Sequence, residues 1–89
     1  MRPSFNCGYA RSRVERLVCS DAELARADRR MSAEFYAALA NADPDARAAL
    51  RRSRDRFLRF RDRCGEAGCV AQAYADRTDE IRDIASGRY

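Results

Sequence analysis

Four cysteines in an 89-residue chain constrain it more than any other feature: Cys7 and Cys19 enclose eleven residues, and Cys64 and Cys69 enclose four. An even number of cysteines at short spacings in so small a chain reads as a disulfide framework, and disulfides persist in oxidising compartments. The expected setting is therefore periplasmic or secreted. A single domain of this size buries a small core, so covalent staples add stability that apolar area cannot. Closing loops this short restricts the unfolded chain by roughly 2–3 kcal/mol per bridge in the chain-entropy treatment. Four cysteines allow three connectivities, of which the two local pairs are the favoured reading.

A zinc site fits less well. Paired zinc ligands lie two to four residues apart. Cys64 and Cys69 stand at that margin, and Cys7 and Cys19 do not meet it. The chain has no histidine, which removes the commonest general base and metal ligand. A nucleophilic cysteine would lack its activating partner. No cofactor, metal or catalytic centre is expected. No run of about 18 apolar residues occurs, so no membrane span is expected either. Met1-Arg2-Pro3-Ser4 leads directly into polar and turn residues. The disulfide reading thus implies a secretion signal that is absent from this sequence, with Met1 an added start.

The net charge of +4 hides an alternation along the chain. Residues 1–19 carry net +3, 20–46 net −3, 47–63 net +6 and 64–89 net −2. Every basic side chain is arginine. Alternating sign suits elements that neutralise one another inside a bundle, with a cationic surplus on the third.

Apolar positions recur at three and four residues and β-branched residues are few, so the pattern is helical throughout. The segment 1–11 is irregular, with Pro3, Asn6 and Gly8. Ser12 with Glu15 forms a capping box that opens a short helix over about 12–19. Ser20 with Glu23 reads as a second box, opening a helix over about 21–41 with an apolar stripe of Leu24, Ala27, Met31, Phe35, Ala38 and Leu39. Asp43-Pro44 supplies an N-cap and a first-turn proline for a third helix, about 44–64. Its seam is Leu50, Ser53, Phe57, Phe60 and Cys64. Gly65 and Gly68 make a turn, and a last helix over about 67–86 carries Val70, Tyr74, Arg77, Ile81 and Ile84, with Gly87 as its stop. Short loops force antiparallel neighbours. The expected fold is an all-α compact antiparallel bundle of one short and three longer helices with two disulfides.

Several stretches carry a family resemblance. Phe5-Asn6-Cys7 is followed by Val14-Glu15-Arg16-Leu17-Val18-Cys19-Ser20-Asp21-Ala22-Glu23-Leu24-Ala25-Arg26-Ala27-Asp28. Further along stand Tyr36, Arg61-Asp62-Arg63-Cys64, Cys69-Val70, Tyr74 and Arg77. Together they resemble the LprI-like lysozyme-inhibitor N-terminal domain family over nearly the whole chain. Two positions depart from its pattern: Asn6 where aspartate is common, and Phe57 where tryptophan is usual. The resemblance implies a small helical, disulfide-bonded extracytoplasmic domain and, as partner, a lysozyme or other cell-wall hydrolase. Blocking a glycosidase cleft asks only for a rigid, shape-matched element. The loop around Cys64–Cys69 and the arm around Cys7–Cys19 are the two candidates, since a bridge lowers the ordering cost on binding.

Three groups of polar residues stand out besides the cysteines. Asp28 lies beside the apolar stripe of the second helix and calls for an arginine. Arg77, which interrupts the last seam, or Arg61 is the expected partner in a structural ion pair. Glu15, Glu23 and Asp21 have first-turn or capping roles. Arg51, Arg52 and Arg59 point outward from the third helix and form a candidate anion-binding set. The alternative function is accordingly an anionic-surface binder for lipopolysaccharide, lipid or nucleic acid. Nucleic acid is the weaker partner, because Phe57 and Phe60 are placed on the core seam rather than among the arginines. The four tyrosines, Tyr9, Tyr36, Tyr74 and Tyr89, are expected to be partly exposed.

Overall fold

The computed structural model describes residues 2–89; Met1, read above as an added start, lies outside them. A single 3-10 turn at Cys7–Tyr9 precedes four helices: α1 Arg13–Ser20, α2 Ala22–Asn41, α3 Pro44–Asp62 and α4 Ala67–Ala85. The all-α bundle with two disulfides is thus the observed architecture, 35 × 20 × 19 Å in extent.

Local chemistry explains most boundaries. Glu15 N–H donates to Ser12 Oγ at 3.0 Å and Ser12 N–H to Glu15 Oε1 at 3.1 Å, completing the capping box of α1. The second expected box does not form. Ser20 is the last residue of α1, where its hydroxyl donates to Leu17 O, and Asp21 caps α2 instead. Asp21 Oδ1 accepts from the N–H groups of Glu23 and Leu24. A carboxylate one residue later outcompetes the hydroxyl because it accepts two bonds and meets the helix dipole with full charge. Asp43 caps α3 through Ala46 N–H at 2.8 Å, with Pro44 in the first turn. The end of α3 falls at Asp62, two residues before the expected Cys64. At the end of α4, Gly87 takes φ +84°, and Arg88 N–H and Gly87 N–H donate to the carbonyls of Asp83 and Ile84. That pair of bonds is the Schellman closure, and its left-handed position suits glycine.

The layering is uneven. Helix α4 packs along both α2 and α3, whereas α2 and α3 touch each other sparingly. The core divides accordingly. One apolar cluster joins Val14, Val18, Leu24, Phe57, Cys64, Val70, Ala73 and Tyr74 at the end where α1 crosses. The other joins Phe35, Ala49, Leu50, Ile81 and Ile84. Arg77 sits between them, its guanidinium 5.3 Å from the Phe35 ring and 5.8 Å from the Phe57 ring.

Two side chains reverse their expected burial. Tyr74 is 1% exposed rather than partly open, and Phe60 is 58% exposed rather than on the seam. The inward position one turn beyond Phe57 belongs to Arg61, which is buried, so Phe60 turns to solvent. Tyr9, Tyr36 and Tyr89 are exposed as expected.

Candidate functional site

The bridges pair Cys7 with Cys19 and Cys64 with Cys69, with Cα–Cα distances of 5.9 and 5.6 Å and no cysteine left free. Both lie at the end of the bundle that α1 crosses. Cys64 is in the apolar cluster with Val14 and Val18, and Cys69 packs against it. Arg13 Nη2 donates to Gly65 O at 3.2 Å, tying the start of α1 to the turn between α3 and α4. The two bridged elements are therefore parts of one stapled end. Helix α4 begins there without a side-chain cap on Glu66, and the bridge to Cys69 fixes its first turn covalently.

Asp28, Arg61 and Arg77 are all buried, but the expected ion pair is absent. No Asp28 oxygen lies within 4.0 Å of a guanidinium nitrogen of either arginine. Asp28 Oδ1 accepts from Tyr74 Oη at 2.9 Å, and Oδ2 accepts from Ser4 N–H. Arg61 reaches the same hydroxyl through Nη1 at 3.4 Å. The link from Asp28 to Arg61 thus passes through Tyr74, whose phenol is long enough to stand between α2 and α3 from its place on α4. Burial, then the Asp28 charge, pushes the Tyr74 hydroxyl well above the ordinary tyrosine range, so it stays a donor. Arg61 completes its set with Asp62 at 2.9 Å and Glu15 at 3.9 Å. Glu15 is held below the ordinary carboxylate range by the backbone N–H groups of Arg11 and Ser12 and by Arg61.

Arg77 makes a separate set on α3 and α4. It donates to Ser53 Oγ, to Glu80 Oε1 at 3.1 Å and to Leu50 O at 3.5 Å, while its Nε finds no partner. Where α2 and α3 part, a cleft of about 260 Å³ is lined by Asp28, Phe35, Tyr36, Arg54, Arg61 and Arg77, among others. Both Asp28 oxygens are already accepting, and the cleft's lining balances three carboxylates, Glu15, Asp28 and Asp62, against Arg54, Arg61 and Arg77. The arrangement braces loosely packed helices and sets no general base against a nucleophile. Among the described residues no group of three or more potential metal ligands comes together.

The three arginines singled out on α3 do not converge. Arg52 and Arg59 share a face, and Arg51 is about 100° further round the helix. Arg52 and Arg56 line the α3–α4 wall opposite Asp76, Asp79, Glu80 and Asp83, with Arg56 paired to Glu80 at 3.1 Å. Arg51 and Arg59 are exposed, with no carboxylate within 4.0 Å among the described residues. Sequence reasoning missed Phe60 as a surface residue. The signal available was Arg61, four residues after Phe57 and so able to displace Phe60 from the seam.

No curated protein and no solved structure matches the chain. The family model for the lysozyme inhibitor LprI matches residues 6–81, a stretch that contains all four cysteines, the Asp28–Tyr74–Arg61 link and Arg77. With that match covering most of its length, this disulfide-stapled helical chain belongs to the LprI lysozyme-inhibitor family.

Proposed function

We propose that this protein is a non-catalytic inhibitor of a lysozyme or a related cell-wall hydrolase, acting in the periplasm or outside the cell. The family match over residues 6–81 carries the reading. The two bridges support the compartment, since such staples are kept where thiols are oxidised. The buried polar residues support a binding rather than a catalytic role, because each is engaged in holding helices together. No helix of the described residues is long and apolar enough to cross a membrane.

The test is titration of the oxidised protein against c-, g- and i-type lysozymes, following clearance of suspended peptidoglycan. Saturable inhibition of at least one class is expected, with no clearance by the protein alone. Failure to inhibit any class at large excess refutes the reading, as does peptidoglycan turnover by the protein itself. Binding of an anionic surface through Arg51, Arg52 and Arg59 has less support, because Arg52 faces the acids of α4. Salt-sensitive retention on anionic vesicles, lost when the three arginines are replaced together, would favour it.

A further inference from the structure

We propose that the last turn of α3 and the bridged loop that follows it, presenting Arg59, Phe60 and Arg63 and clasped by Arg13 at Gly65, form the surface that enters the carboxylate-lined cleft of the inhibited glycosidase. The proposal rests on the inhibitor reading above and names the part of the molecule that would perform it.

The turn is built to keep its shape. Cys64 and Cys69 close it covalently, Cys64 is anchored in the core, and Arg13 donates to Gly65 O from the other bridged element. Arg63 N–H donates to the carbonyl of Phe60, and Arg63 Nε to that of Arg59 at 3.4 Å. A surface ordered before binding loses little conformational freedom on docking.

Its arginines differ from the paired ones of α3, although Arg47, Arg51 and Arg52 likewise have no carboxylate within 4.0 Å among the described residues. Elsewhere on the helix, Arg54 lies 3.9 Å from Asp55, Arg56 pairs with Glu80, and Arg61 pairs with Asp62. Arg59 and Arg63 are exposed, with no carboxylate within 4.0 Å among the described residues; of the acids nearby in sequence, Asp62 is engaged by Arg61, Asp55 lies beside Arg54, and Glu66 is exposed in the loop. Phe60, which lies between them in sequence, is exposed and has no polar atom to offer to water. One exposed phenylalanine is ordinary. One with arginines that lack a carboxylate partner on either side of it in sequence, at the helix end that leads into a disulfide-closed loop, has the composition of a binding anchor.

A glycosidase cleft supplies the complement. Two carboxyl groups flank the scissile bond, set in a groove shaped for sugar rings. A guanidinium fits a carboxylate with paired hydrogen bonds, and an aromatic ring fills a sugar-width groove. Occupying both carboxyl groups blocks the enzyme with no chemistry from the inhibitor.

The experiment uses the oxidised full chain and a lysozyme of a class that the parent inhibits, with peptidoglycan clearance and calorimetric binding as readouts. The variants are Phe60→Ala, Arg59→Glu/Arg63→Glu and Arg59→Gln/Arg63→Gln. Arg26→Glu/Arg29→Glu on α2 is the charge-matched control. Inhibition should weaken at least about tenfold in each turn variant and change less than about twofold in the control, as expected for central anchors against remote charges. All variants should keep the parent's melting temperature within a few degrees, since the altered side chains are exposed. Saturating N-acetylglucosamine trisaccharide, which fills the cleft, should abolish binding. Turn variants that inhibit like the parent, or simultaneous binding of trisaccharide and inhibitor, overturn the proposal and leave the inhibitor reading standing. A parent that inhibits no lysozyme overturns both.

Discussion

Replacing Tyr74 with phenylalanine isolates the bond that links the buried charges. The ring and its contact with Phe57, 5.4 Å between centroids, are retained, so no cavity opens. Only the hydroxyl is lost, and with it the 2.9 Å bond to Asp28 and the 3.4 Å bond from Arg61. Arg61 keeps Asp62, so the longer bond contributes little. A buried hydrogen bond to a charged acceptor contributes about 1.5–3 kcal/mol, which puts the expected loss near 2 kcal/mol. For a domain of this size that lowers the melting temperature by roughly 8–16 °C. Asp28→Ala removes two such bonds and should cost about 3 kcal/mol. Because both changes strike the same bond, Tyr74→Phe should cost less than about 1 kcal/mol in the Asp28→Ala background, the non-additivity expected of residues in contact. Urea unfolding of the four oxidised proteins at neutral pH closes the cycle. A Tyr74→Phe protein within about 0.5 kcal/mol of the parent, or strictly additive costs, would refute the reasoning.

The capping assignment separates two neighbours: Asp21→Ala should cost about 1 kcal/mol in urea unfolding, while Ser20→Ala should cost less than half of that. Equal losses would restore Ser20 as the cap. Loss of the Cys7–Cys19 bridge, by paired alanine replacement, should cost about 3 kcal/mol against about 2 for Cys64–Cys69, because the first loop is longer; a reversed order of urea midpoints would mean that burial of Cys64 matters more than loop length. Glu15 has its folded-state pKa depressed by its backbone donors, so it contributes stability above its ordinary value of 4.5 and loses it as pH falls through the lower folded value. The stability gap between parent and Glu15→Gln should therefore be widest at neutral pH and close on acidification below pH 4.5, as read by urea unfolding along a pH series; a gap that holds constant would show that Glu15 acts without its charge.

The family came from short-range signals: cysteine spacing, a capping box, and the stretch from Val14 to Asp28. The helices were legible for the same reason, since apolar periodicity, Asp43-Pro44 and Gly87 act within a turn or two of where they stand in the chain. The local bridges were favoured but not decided by spacing, because three connectivities satisfy the same count. What the tertiary structure decided lies in side chains whose partners are distant in sequence. Asp28 needed a partner, and the one it has, Tyr74, is 46 residues away on a helix that packs between α2 and α3. Helical spacing places a residue on a face but does not say which neighbour reaches across, nor that Arg61 would displace Phe60 from the seam. The sequence by itself determined the helices, the cysteine framework and the family. Only the packing of α4 between its neighbours determined which polar groups are joined in the interior and which arginines and aromatic ring remain free at the stapled end. Helix formation follows from interactions within a few residues, whereas that choice depends on distances between helices that no local pattern encodes.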